Sequence, residues 1–136
     1  MTFFRTLILL CAPLGLFAQF DITRGTWYNE NRTGRLQFFI KEAKLYAKIV
    51  WVEDNARKDE RNPDPKLRQR PLIGLVNLTG FTPADARNWS GGKIYDPESG
   101  KTYSSKIKVL SDRELEVRGY IGSPVLGKST RFTKAD

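Results

Sequence analysis

The chain has 136 residues, 23 Lys+Arg against 15 Asp+Glu, 40% hydrophobic and 28% charged residues, one Cys and no His. That length and balance suit one globular domain and exclude wholesale disorder. Without His, the Ser-His-Asp triad, the Cys-His dyad and the usual zinc sites are excluded.

Met1 to Ala18 is read as a secretory signal peptide. Arg5 supplies the charged start, Leu7, Ile8, Leu9, Leu10, Leu14, Leu16 and Phe17 the apolar run, and Ala18 the small residue before a cut. The run is too short to span a bilayer, which takes about 20 apolar residues. Cys11 lies inside it, preceded by Leu10 rather than a small residue, so lipidation is not expected. Cleavage leaves a single domain over residues 19–136 without cysteine, and no disulfide staples it. The export address predicts a periplasmic or secreted protein with no integral membrane span in the mature chain. Its net charge becomes +7 (22 basic against 15 acidic). For an exported protein that surplus does not imply nucleic acid as partner; an anionic envelope component is the corresponding expectation.

The mature chain alternates at the strand period almost throughout. Gly25-Thr26-Trp27 opens the first strand. Leu36, Phe38 and Ile40 share one face of the next; Leu45, Ala47, Ile49 and Trp51 share one face of the third. Pro65 to Gln69 is a candidate helical turn, Leu72 to Phe81 reads as a strand covered on both faces, and Thr82 to Ala86 is a second candidate turn. Lys93 to Tyr95 is short. Tyr103, Ser105, Ile107 and Val109 alternate, as do Leu115, Val117, Gly119 and Ile121, and Val125 to Thr133 closes the series. Ser111-Asp112-Arg113 and Asp96-Pro97-Glu98-Ser99-Gly100 have hairpin spacing. No long amphipathic helix is available to cover a sheet. About eight short antiparallel strands must therefore hide their edges by closing or by pairing as two sheets. The economical answer is an all-β fold, a single antiparallel up-and-down barrel.

Gly25-Thr26-Trp27 resembles the Gly-x-Trp signature that opens lipocalin-type barrels. That resemblance implies a Trp27 plug at the closed end, stacked by a basic residue from the last strand, with Arg131 and Lys134 as candidates. Further motifs are Asp59-Glu60-Arg61-Asn62-Pro63-Asp64-Pro65, Leu67-Arg68-Gln69-Arg70-Pro71-Leu72-Ile73-Gly74-Leu75 and Trp89-Ser90-Gly91-Gly92-Lys93-Ile94-Tyr95-Asp96-Pro97. Gly100-Lys101-Thr102-Tyr103 and Leu115-Glu116-Val117-Arg118-Gly119-Tyr120-Ile121-Gly122 complete the set. Together they resemble the exported bacterial domain-of-unknown-function family two-one-four-seven, from about Gly25 to Lys134. The resemblance implies a lipocalin-like β domain and no particular reaction. Where that family tends to end in Trp-x-Arg, this chain has Phe132-Thr133-Lys134, and Lys does not lay a planar guanidinium on an aromatic face.

Two segments are candidate sites. Asp54 to Pro71 is long for a hairpin, and long connections are often functional. A calcium loop wants alternating acids around a central Gly, and this one lacks both, so no metal is expected. Asn62 and Asp64, each before Pro, are expected to fix turns, while Arg68 and Arg70 are candidates to grip an anionic group at the barrel mouth. In the second segment Trp89, Tyr95 and Asp96 are candidate ligand contacts, and Gly91 and Gly92 permit a bulge or close backbone approach. Catalysis would rest on carboxylates and Tyr alone, and nothing places Asp96 and Glu98 across a cleft. No catalytic residue and no cofactor is assigned. The leading expectation is a non-catalytic module binding a small apolar or amphipathic ligand in the barrel mouth. The alternative is an envelope interaction protein whose solidly packed barrel contacts protein, glycan or anionic lipid; a carboxylate-dependent hydrolase ranks third.

Overall fold

A computed structural model describes residues 20–135. The segment read from the sequence as a signal peptide, with Cys11, lies outside the described residues. Eight strands run in sequence order: β1 (Trp27–Tyr28), β2 (Gly34–Lys41), β3 (Lys44–Val52), β4 (Val76–Asp85), β5 (Asn88–Asp96), β6 (Lys101–Ser111), β7 (Glu114–Tyr120) and β8 (Gly127–Lys134). Each pairs antiparallel with its neighbour, and β1 closes on β8 through Trp27 opposite Lys134 and Tyr28 opposite Thr133. The result is an up-and-down barrel with no free edge.

Alternation explains which side chains fill it. Leu36 and Phe38 of β2, Leu45, Ala47 and Ile49 of β3, Ile107 and Val109 of β6, Leu115 and Val117 of β7 and Phe132 of β8 are all buried. Leu78 and Phe81 of β4 join them. On the outer face the opposing residues Phe39 and Tyr46 stack at 5.6 Å, so the residues between the core positions also pair across strands.

Four local expectations are corrected. Trp51 does not share the inward face of Ile49. Arg35 pairs with Trp51 while Leu36 pairs with Ile49, so Val50 is an extra residue and the alternation inverts across it. Trp51 therefore sits outside, edge-on to Tyr28 at 6.3 Å with the Arg35 guanidinium 4.7 Å from its ring. Thr82 to Asp85 continues β4 rather than making a helical turn, because pairing with β5 reaches Asp85 opposite Asn88. Leu72 to Leu75 precedes β4 as loop, with Leu72 buried and Ile73 exposed. Val125 and Leu126 likewise lie before β8, where both are strongly exposed. The candidate turn near Pro65 is present as a short 3-10 turn over Pro65–Leu67, capped by the Asp64 carboxylate.

The barrel has unlike ends. Around Trp27 lie the β2–β3, β4–β5 and β6–β7 hairpins, and the segment before β1 folds across the opening. The Trp27 indole N–H donates to the Ile22 carbonyl at 3.1 Å, Phe20 meets its ring edge-on, and Ile22 is buried. At the opposite end stand the β1–β2, β3–β4, β5–β6 and β7–β8 connections.

Candidate functional site

A cavity of about 1090 Å³ opens at that second end. Leu36, Ile49, Ile94, Tyr103, Val117 and Phe132 line its depth, and Leu72 reaches in from the long β3–β4 loop. Its volume is at the upper end of what small-molecule pockets offer. The opening exists because the strands carry small or short residues on this side. At Gly119 a Cβ would meet Ile94 and Tyr103 only at ordinary contact distance, 3.6 Å, so the absent side chain leaves space. Gly92, nearer the packed end, is the reverse case: the Phe81 ring occupies the place a Cβ would take, 2.4 Å away.

Two buried side chains each keep one polar atom without a hydrogen-bond partner, Asn77 Oδ1 and Ser105 Oγ. Asn77 lines the cavity. Its amide N–H points to the Tyr95 carbonyl at 3.5 Å, and this fixes the amide orientation, since the reverse would set two acceptors together. Oδ1 is buried and accepts no hydrogen bond.

The long loop is organised by a residue that sequence reasoning counted only as one charge among several. Asp59 is fully buried. Its carboxylate accepts the Tyr95 hydroxyl at 2.5 Å, the Asn62 amide at 2.8 Å and the Arg70 guanidinium at 3.0 Å through both Nε and Nη2. The Lys58–Pro71 bridge and the Asp59 N–H to Arg70 carbonyl bond bring the loop's two limbs together. Asn62 Oδ1 accepts the Asp64 N–H at 2.8 Å, Asp64 Oδ1 accepts the Lys66 N–H at 3.0 Å, and Arg68 donates to the Asn62 carbonyl at 2.7 Å. Burial first, and the bond to Asp59 second, push the Tyr95 hydroxyl up to about 12. The loop also lies on the β5–β6 turn: Arg57 pairs with Glu98 at 2.7 Å, and Arg61 reaches the Glu98 carbonyl. That hydrogen bond to Glu98 raises the Arg57 pKa beyond its usual value. Gly100 admits the loop, since a Cβ there would fall 2.0 Å from the Arg61 carbonyl oxygen.

Of the candidate ligand contacts, Tyr95 and Asp96 border the cavity. Arg68 and Arg70 are turned into the loop. Trp89 packs half-buried against the core, next to a bulge at Ser90–Gly91 that ends at Gly92, paired with Ser105. Asp96 accepts the Glu98 N–H and the Ser99 hydroxyl, so its carboxylate also holds the turn. At the closed end, Lys134 Nζ lies 4.8 Å from the Trp27 ring centroid and also donates to the Arg24 carbonyl. Gly25, at φ +71°, lets its methylenes approach. Arg131 is elsewhere, paired with Glu114 at 3.4 Å. Sequence reasoning missed Asn77. The available signal was a lone amide inside the apolar run Leu75-Val76-Asn77-Leu78.

The family model described as an uncharacterized protein conserved in bacteria, DUF2147, matches residues 25–134. The chain belongs to this family. Among solved structures, this DUF2147 chain is similar to protein HP1028 from the human pathogen Helicobacter pylori, described as belonging to the lipocalin family. The two superpose with a TM-score of 0.77 at 27% identity, over 85% of this chain and 84% of that one. A redesigned β-barrel matches with a TM-score of 0.46 at 15% identity, over 85% of this chain and 92% of that one. No curated protein matches.

Proposed function

We propose that this DUF2147 chain is an exported, non-catalytic barrel that holds one small apolar or amphipathic molecule in its open end. The observation that carries this reading is the cavity of about 1090 Å³, walled by apolar side chains and stopped below by a packed core. An eight-stranded barrel has room for one small ligand when its interior is not filled. The likeness to a protein described as a lipocalin agrees with it, because lipocalin barrels hold small ligands. The exposed Ile121, Val125 and Leu126 border the opening and give an apolar molecule a path inward. Asp96 and Glu98, the nearest acidic pair, are engaged in the β5–β6 turn and with Arg57, which supports binding over hydrolysis. Export rests on the charged start, apolar run and terminal Ala18 of the first eighteen residues.

Native mass spectrometry of the protein purified from its own periplasm tests the reading. A reproducible non-covalent adduct of lipid-like mass is expected, and it should disappear in Gly119→Leu, whose side chain fills the cavity without a backbone clash. Protein that is uniformly empty, with no difference between the two forms, overturns it.

A further inference from the structure

The three most exposed large apolar side chains among the described residues share one connection. Ile121, Val125 and Leu126, at 68%, 82% and 72% exposure, belong to the β7–β8 loop and border the cavity mouth. Scattered apolar side chains on a surface are ordinary, but a cluster like this marks a contact. The loop is built to hold them outward. The Arg118 guanidinium donates through Nε to the Pro124 carbonyl at 2.6 Å. Through Nη2 it donates to the Gly127 carbonyl at 3.2 Å and the Val125 carbonyl at 3.5 Å. Within the loop the Ser123 N–H donates to the Ile121 carbonyl, and the Leu126 N–H to the Ser123 carbonyl. Gly127 allows the tight return, since a Cβ there would fall 2.5 Å from the Gly119 carbonyl oxygen. A turn bathed in water leaves such carbonyls to solvent, whereas one that enters lipid must bond them internally.

Charge selects the kind of lipid. Residues 117–135 contain Arg118, Lys128, Arg131 and Lys134 and no Asp or Glu. Lys128 is exposed directly beside the apolar tip. The acids Glu53 and Asp54 belong to the β3–β4 connection, which the closed strand order sets across the opening from β7–β8. The acids of the flanking connections are engaged: Glu30 accepts the Arg131 N–H, Asp96 holds its own turn, and Glu98 pairs with Arg57 and Arg61. A bilayer conforms to a convex apolar tip with a basic flank, whereas a folded partner would need a matching groove.

We infer that the β7–β8 loop docks this barrel on an anionic bilayer, with Ile121, Val125 and Leu126 sunk at headgroup level and Lys128 against the lipid phosphates. The cavity mouth then opens toward the membrane, and a lipid-like molecule reaches it without crossing water. That last step rests on the ligand-holding reading; the docking does not.

Vesicle co-sedimentation of the protein purified from its own periplasm, at low salt near neutral pH, tests the docking. The vesicles are phosphatidylcholine alone and phosphatidylcholine mixed with phosphatidylglycerol. The mixed vesicles should bind about tenfold more tightly, and physiological salt should narrow that gap. Val125→Ser combined with Leu126→Ser should weaken binding to mixed vesicles about tenfold. The urea midpoint should stay unchanged, since neither side chain is buried. Lys128→Gln should weaken binding to mixed vesicles about fivefold and leave neutral ones unaltered. Relative to wild type, vesicles should add a fluorescence blue shift in Leu126→Trp and none in Ile40→Trp, whose site is exposed at the plugged end. No vesicle binding, equal affinity for the two compositions, or binding that survives the double substitution overturns the docking. So does a lipid-free dimer that the same substitution dissolves, which assigns the tip to a second copy. Absent vesicle binding with the adduct of native mass spectrometry intact overturns the docking alone.

Discussion

The end plugged by Trp27 and the end bordered by Asn77 are made by the same eight strands and solve opposite problems. At the plugged end the one buried polar atom of the plug, the indole nitrogen, is satisfied by Ile22, and the ring is enclosed by the core and covered by Lys134. At the open end a buried amide oxygen stays unsatisfied, Gly119 withholds a side chain, and the long loop stands beside the opening without filling it. The difference teaches where each kind of residue contributes. Apolar mass near Trp27 stabilises the closed barrel. Small or polar residues near Asn77 give up packing and leave space.

The largest expected effect is at the plug. Trp27→Ala should cost about 3–5 kcal/mol in urea unfolding, since it empties a fully enclosed site and strands the Ile22 carbonyl. Ile94→Ala, beside the cavity, should cost only about 1–2 kcal/mol, because part of that side chain already borders space. Equal losses at the two positions would break the contrast between a packed and an open end.

Next comes the loop. Asp59→Asn keeps the shape of the carboxylate but leaves Arg70 without its counter-charge and offers an N–H where an acceptor is needed. Arg70 is partly exposed, which softens the loss to about 1–3 kcal/mol. The sharper readout is limited proteolysis between Asp54 and Pro71, which should accelerate while the barrel strands keep their amide protection. Unchanged cleavage would mean that Asp59 does not hold the loop together.

Much of the fold was legible because a barrel interior imposes a period of two, and β2 and β7 keep it without interruption, as β6 does up to Val109. Trp51 misled because one extra residue, Val50, inverts the face, and a bulge leaves no mark in hydrophobic pattern alone. Trp89 and the Gly91–Gly92 pair were visible, but they serve a bulge and give the Phe81 ring its place. Arg68 and Arg70 suited an anion by chemistry, and Arg70 found one within the chain, eleven residues back at Asp59. That pairing depends on Asn62 and Asp64 turning the loop, so it emerges only once the limbs meet. Tyr95 and Asp96 reached the cavity because β5 ends there.

The smallest expected effect is visible only in alkali, and its sign follows from Tyr95. The hydroxyl titrates at about 12 in the folded chain, through burial and its bond to Asp59, against the ordinary tyrosine value of 10.0. Between those values the folded state keeps a proton that the unfolded state releases, so stability falls as pH rises through this window. Below it the contribution is fully present. The advantage of the wild type over Tyr95→Phe in urea unfolding should therefore shrink between about pH 10 and pH 12 and be constant at lower pH, where lysines and other groups cancel in the difference. Ultraviolet titration gives the site directly, since Tyr95→Phe should remove one tyrosine that is still protonated at about pH 11 in the wild type. If Tyr95→Phe leaves the absorbance change above about pH 11 unaltered, the Asp59–Tyr95 contact does not join loop to barrel. The open end would then be less firmly built than the plugged one.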